Sequence, residues 1–251
     1  MPDRLRTVEL QSCFAGRPVF TLTEIRGFYT EQEPDLNENT LLSRVHYLRK
    51  KGIISATGRG RYALGTRKPF ILEPDHEDRV WYERISGQLP HIRCCVWSSA
   101  SIDRFLGTDP DGVFIIAEAD RVAVETVFDL LREYTTSLFL NPGKTILERY
   151  VPMHVNPVIV IPLITEAPLD EQGGIPRPSP EKLIVDLLAE PDLLRRYQGK
   201  MMREFITRIL RNHQVNHDRL MRYAARRNKR GTIVKLFREL SLGSITVPAL
   251  N

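Results

Sequence analysis

Residues 21–64 read TLTEIRGFYTEQEPDLNENTLLSRVHYLRKKGIISATGRGRYAL, and this stretch decides the fold of the N-terminal part. Thr21 and Glu24 have capping-box spacing: the hydroxyl satisfies a first-turn amide and the carboxylate reaches back to the cap. Ile25, Phe28 and Tyr29 follow as one apolar stripe at helical spacing. After a polar turn, Asn39 is placed to cap a second helix running from Thr40 to about Lys51, with Gly52 as its stop. Leu41, Leu42, Val45 and Leu48 are expected to face inward from that helix, and Thr40, Ser43, Arg44, Tyr47 and Lys51 outward. Ile53 to Thr57 and Arg61 to Leu64 are strand-length segments joined by Gly58-Arg59-Gly60. Helix, turn, basic helix and basic hairpin in this order predict a winged helix-turn-helix.

The outward face of the second helix has the chemistry of a major-groove reader. Arg44 can offer a forked pair of donors to a guanine edge, and Asn39, Thr40 and Ser43 near the helix start can reach bases or phosphates. Arg49, Lys50 and Lys51 lie at the far end, where cations suit both the helix dipole and a phosphate backbone. A glycine-flanked Arg59, with Arg61 beside it, suits a wing laid along DNA. The expected DNA-contacting set is therefore Asn39, Thr40, Ser43, Arg44, Tyr47, Lys50, Lys51, Arg59 and Arg61, with double-stranded DNA as the partner. The same module can also serve protein contact alone, with its basic residues as a solvated face.

At 251 residues the chain has room for two domains, the second with a substantial core. The expected division is 1–68 for the winged helix and 69–251 for a mixed α/β domain, with Gly65-Thr66-Arg67-Lys68-Pro69 as the boundary. No apolar run approaches the roughly 18 residues of a membrane span. The first residues lack a signal-peptide pattern, so a cytoplasmic location is expected. Cys13, Cys94 and Cys95 form neither a disulfide framework nor a metal-ligand spacing and read as buried thiols. Charge is unevenly placed. Residues 1–68 hold 12 Lys and Arg against 7 Asp and Glu, residues 69–199 hold 12 against 21, and residues 200–238 hold 12 against 2. Two basic regions flank an acidic one, which suggests an anionic partner touching both ends.

In the second domain a helix around Val80, Trp81, Arg84 and Ile85 is expected to end near Leu89-Pro90. Cys94–Trp97, Val113–Ala117, Leu138–Leu140 and Val158–Ile164 read as buried strands, with helices at Ser101–Leu106 and Arg121–Tyr134 between them. This alternation predicts an α/β (α+β) class with a sheet covered by helices. Gln172 to Pro180 reads as a loop or hinge. From Ser179-Pro180, a cap and first-turn proline, the chain reads as a helical part covering about 179–240. Its last third is basic: Arg219, Arg222, Arg226, Arg227, Lys229 and Arg230 are left largely outward, and Lys235 and Arg238 follow. Three readings of that face stay open: a solvated surface, phosphate contacts flanking the operator, or a surface for an acidic partner.

No catalytic constellation stands out, so neither an enzyme nor a cofactor is expected. There is no glycine-rich phosphate loop and no serine in a nucleophile-elbow context. Glu118 and Asp120 end an apolar strand, where a nuclease could place metal-binding carboxylates, with Lys144 loosely placed beside them. They keep a metal-dependent, nucleic-acid-acting enzyme as an alternative. His213 and His217 are four apart, but Asn216 between them reads as a new helix cap. A stand-alone, ligand-sensing transcription factor is a further alternative.

Several phrases resemble a bacterial phage-defence family: CVWSSASIDRFL, FIIAEADRVAVETVFDLL, VIVIPLITEAPL, SPEKLIVDLL and YQGKMMREFITRILRNHQVNHDRLMRYAARRNKRG. With the winged helix they cover most of the chain, and the chain resembles AbiEi-type antitoxins, the transcriptional regulators of abortive-infection type IV toxin–antitoxin systems. The resemblance implies a protein that binds repeats in its own promoter, represses its own operon and counteracts a nucleotidyltransferase-like toxin. Repression would then fall to Thr40, Ser43, Arg44, Tyr47 and Arg59. The family supplies no fixed motif for toxin neutralisation.

Overall fold

Side-chain caps start the two main N-terminal helices of the structure, a computed structural model that describes residues 5–17, 19–65 and 67–240. A short helix α1 (Thr7–Cys13) precedes the two-residue strand β1 (Phe20–Thr21). Thr21 Oγ1 accepts from the Glu24 amide at 3.2 Å and Glu24 Oε2 accepts from the Thr21 amide at 2.6 Å, starting α2 (Leu22–Thr30). Asn37, not the expected Asn39, caps α3 (Glu38–Lys50) by accepting from the Thr40 amide at 2.8 Å. Asn37 has extended backbone while Asn39 already lies in the first helical turn, so only Asn37 can cap. β2 (Ile54–Gly58) and β3 (Arg61–Leu64) complete a three-stranded antiparallel sheet in the order β1-β3-β2. Gly58 pairs with Arg61, leaving Arg59 and Gly60 at the tip; Gly60 takes φ 65°, where a side chain would be strained. Phe14, Phe20, Ile25, Phe28, Tyr29, Leu41, Val45, Leu48 and Ile54 form the apolar core, with the Phe14 and Phe20 rings stacked 4.1 Å apart.

A second core is built between Phe70 and Phe205. α4 (His76–Gln88) begins at another capping box, Asp75 with Asp78. β4 (Cys94–Ser98) runs antiparallel to β5 (Ile115–Asp120) and is followed by α5 (Ala100–Leu106). After α6 (Val124–Leu131), β6 (Leu138–Leu140) and α7 (Lys144–Arg149), β7 (Val158–Leu163) inserts parallel to both β5 and β6. The sheet order is β4-β5-β7-β6. Ile85 of α4 and Val124, Val127 and Leu131 of α6 cover one face, against Val96, Ala117 and Val160. The fold class is mixed α/β.

Residues 172–180, expected as a loop or hinge, contain part of a hairpin instead. β8 (Leu169–Gln172) pairs with β9 (Ile175–Pro178) around Gly173 and Gly174, both at positive φ. The prolines at 176 and 178 are tolerated because this ribbon has only two strands, which leaves edges where an amide donor is not needed. Between them Arg177 is wholly buried: it donates to Leu72 O at 3.1 Å and Val96 O at 2.5 Å, and pairs with Asp78 at 2.8 Å. α8 (Pro180–Ala189) follows, capped by Ser179 with Pro180 in its first turn.

The C-terminal helices correct the expected domain plan. The division between units falls inside α9 (Lys200–Asn212): residues from Ile206 onward group with residues 1–69, not with an α/β domain 69–251. Backbone pairing explains this. The Lys68 amide donates to Asn212 O at 3.2 Å, and the Gln214 amide donates to Lys68 O at 2.9 Å. Asn216 then caps α10 (His217–Arg226), and α11 (Arg230–Glu239) is the last described helix. Such a long-range stitch leaves no periodic signal in the sequence. Cys94 and Cys95 are buried, whereas Cys13, expected to be buried too, is exposed. No helix among the described residues is long and apolar enough to cross a membrane.

Candidate nucleic-acid interface

α3 presents a clear outward face. Leu41, Val45 and Leu48 point into the core, so on a helix of 3.6 residues per turn the opposite side carries Asn39, Ser43, His46 and Lys50. All four are exposed, and Arg49 and Lys51 extend the positive charge at the C-terminal end. Thr40 is half-buried on the flank, and Tyr47 is 54% exposed with its ring edge-on to His46. His46 was missed, although its spacing from Asn39, Ser43 and Lys50 places it on the same stripe. Leu42, expected to face inward, is 45% exposed and adds an apolar contact next to Asn39 and His46.

Arg44 does not stand on this face, contrary to the sequence reading. Its guanidinium carbon lies 4.6 Å from the Tyr29 ring centroid, and Nη2 donates to Glu33 Oε2 at 2.7 Å. The side chain is only 12% exposed, and Nη1 is buried with no hydrogen-bond partner among the described residues. The cause is angular: position 44 is closer to the core direction of α3 than position 42 is, and Tyr29 of α2 offers a ring beneath it. Arg44 therefore fastens α3 to α2.

The β2–β3 tip is fastened as well, through α10. The Arg59 amide donates to Asp218 Oδ2 at 2.9 Å, and Arg61 Nη1 is ion-paired with Asp218 Oδ1. A Cβ at Gly58 would come within 2.8 Å of the same carboxylate, so only glycine lets it approach so closely. One acidic side chain thus sets the tip geometry and uses the Arg61 charge, while the Arg59 side chain stays exposed. Beneath it, His217 is buried. Burial, reinforced by Arg61 and Arg230 and opposed by Asp218, pushes its imidazole pKa down to about 4.

Of the six residues expected in a second basic surface, Arg222, Arg226 and Arg230 are exposed, and Arg219, Arg227 and Lys229 are half-buried. Because α10 and α11 belong to the N-terminal unit, their charge adds to that of α3. That unit carries 22 Lys and Arg against 9 Asp and Glu, a net +13; the Phe70–Phe205 unit carries 14 against 22, a net −8.

The residues of the nuclease-type alternative are engaged separately. Glu118 is interior on β5, where Oε1 accepts from Lys182 Nζ at 2.7 Å and from Trp97 Nε1 at 2.9 Å; Lys182 also pairs with Asp186 at 2.6 Å. Burial raises the Glu118 pKa against the opposing pull of Lys182. Asp120 accepts from the Arg93 amide at 3.3 Å, and Lys144 lies 3.8 Å from Asp192. His213 Nδ1 is 3.2 Å from Pro69 O. Among the described residues, no group of three or more His, Cys, Asp or Glu side chains is arranged to hold a metal ion.

Residues 40–242 match the family described as "Family of unknown function (DUF6577)". The match begins inside α3 and takes in the β2–β3 tip, Asp218 and α10. No curated protein and no solved structure matches the chain.

Proposed function

We propose that this chain, which belongs to the DUF6577 family, is a duplex-DNA-binding regulator whose N-terminal unit is a winged helix completed by its C-terminal helices. The observation that carries this reading is the outward stripe of α3: four polar or basic side chains on one face of a helix whose other face is fully packed. In a major groove Asn39, Ser43 and His46 would meet base edges, and Lys50 with Arg49 and Lys51 would meet phosphates. Arg59 at the tip would meet the flanking backbone. The +13 balance of this unit supports an anionic partner and fast encounter with it.

The finer reading rests on the resemblance to AbiEi-type antitoxins. On that reading the protein acts in the cytoplasm, represses its own operon through promoter repeats, and counteracts a nucleotidyltransferase-like toxin encoded beside it. Co-expression with the neighbouring gene tests this part: rescue of growth is expected, and unchanged toxicity overturns it.

For DNA binding itself, the test is titration of the full chain on the DNA upstream of its own gene and on an unrelated duplex. Replacing Asn39, Ser43 and His46 together by alanine should lower specific affinity about 10- to 100-fold, since a good base contact contributes about 1–3 kcal/mol. Binding to the unrelated duplex should hardly change. Equal affinity of variant and wild type for the upstream DNA would remove α3 from the groove.

A further inference from the structure

Resting on the DNA-binding reading above, we propose that α10 continues the wing: Asp218 anchors it to the hairpin tip, and Arg222 and Arg226 grip two further phosphates of the same duplex. Three observations carry this. Asp218 is joined to the tip at the Arg59 amide and the Arg61 guanidinium, so the first turn of α10 is fixed against the segment that would lie on the backbone. Positions 218, 222 and 226 are spaced four apart, so they follow one stripe of the helix at a rise of about 6 Å per step. Arg222 and Arg226 are both exposed, and Ala225 beside them is exposed and too small to hold a phosphate backbone away.

Charge and shape favour a nucleic-acid backbone over other partners. Residues 206–240 hold 10 Lys and Arg against Asp218 and Glu239, and Asp218 is already matched by Arg61. Each strand of B-DNA presents a charge every 3.4 Å along the axis, so a step of about 6 Å reaches a second phosphate without bending the helix. The guanidinium fork holds a phosphate bidentately where an ammonium would act as a point charge. Asp218, an acidic residue beside a surface built for anions, is then a positioning residue: it orients the tip and α10 together.

The experiment follows duplex binding by the full chain over a salt series, with helix content checked by circular dichroism. Arg222→Gln with Arg226→Gln should flatten the slope of log affinity against log salt by about 1.8, which is two phosphates at about 0.9 each. It should also lower affinity about 10-fold or more at moderate salt. Each single substitution should flatten the slope by about 0.9, and these serve if the pair unfolds. Arg222→Lys with Arg226→Lys should keep the wild-type slope. An unchanged slope in the glutamine variants, with wild-type binding intact, overturns the proposal but leaves the α3 reading standing; it makes α10 a solvated face or a surface for an acidic protein. Equal weakening in the lysine pair also overturns it, because charge is then not what matters. Failure of the unmodified chain to bind duplex DNA at all would take down both readings.

Discussion

The two units place their charges in opposite ways. In the N-terminal unit the excess is positive and sits outside: the interior is aromatic and aliphatic, and among its described residues only Thr57 and His217 are buried polar side chains. In the Phe70–Phe205 unit the excess is negative, and several ions lie inside, as Asp78 with Arg177 and as Glu118 with Lys182 and Asp186. The locations assign different roles. Charges left in water cost little to keep and are available to a partner. Charges taken from water are tolerated only when matched, and then they fix one arrangement of the elements that carry them. The same residue types therefore point to a ligand in one unit and to architecture in the other.

The sharpest way to break this contrast is Lys182→Met. Methionine fills the volume but leaves Glu118 and Asp186 facing each other in the interior, a loss of about 3–5 kcal/mol. Both tryptophans, Trp81 and Trp97, lie in this unit, and the Trp97 indole donates to Glu118, so tryptophan fluorescence during denaturant unfolding reports the effect directly. Adding Glu118→Gln should recover part of the loss by removing one unmatched charge. A single variant as stable as wild type would mean that the cluster is hydrated and the contrast false.

How far the sequence anticipated these units differs between them for physical reasons. Most caps were legible because they depend on neighbours in the chain: Thr21 with Glu24, Ser179 and Asn216 each cap the helix expected of them, while for α3 the cap is Asn37 and not Asn39. β4, β5 and β7 were legible because they are largely buried and their apolar runs are continuous, whereas β6, also expected to be buried, is only half-buried, with Leu140 exposed. The second hairpin was not, since three prolines and two glycines in 172–180 read as a break, and partners far away in sequence, Asp78 and the Leu72 and Val96 carbonyls, explain why Arg177 can point inward. The C-terminal helices read from sequence as part of the second domain, because the bridge from Lys68 to His213 that groups them with the first is long-range and carries no pattern. At the α3 face, helical periodicity alone puts His46 on the outward stripe, whereas residue type alone favours Arg44.

A smaller effect tests His217, a buried titratable group of the basic unit. His217 is depressed to about 4 by burial first and by Arg61 next, so the folded protein holds it neutral while the unfolded chain takes a proton near 6.5. The stabilisation is complete above about pH 6.5 and is lost as pH falls from there toward 4, by about 3 kcal/mol in all. Hydrogen exchange of α10 amides should therefore accelerate over that window in wild type. His217→Gln should lack that component, and parallel pH profiles for the two proteins would show that the imidazole is already solvated.

The smallest expected effect separates a residue that holds α3 from residues that use it. Arg44→Ala removes a guanidinium stacked on Tyr29 and an ion pair whose other partner, Glu33, is 45% exposed and thus screened by solvent, so most of the loss of about 1 kcal/mol belongs to the stacking. Exchange of α2 and α3 amides should rise accordingly, while the salt slope of DNA binding stays at its wild-type value. Lys50→Ala should do the reverse, flattening the slope by about 0.9 and leaving amide exchange alone. Arg44→Lys divides the two contributions to Arg44, since it keeps the charge for Glu33 but loses the planar face for the ring. If Arg44→Ala instead relaxes sequence preference with stability intact, the guanidinium leaves Tyr29 when DNA arrives. The outward stripe of α3 then gains a base reader that the free protein keeps folded away.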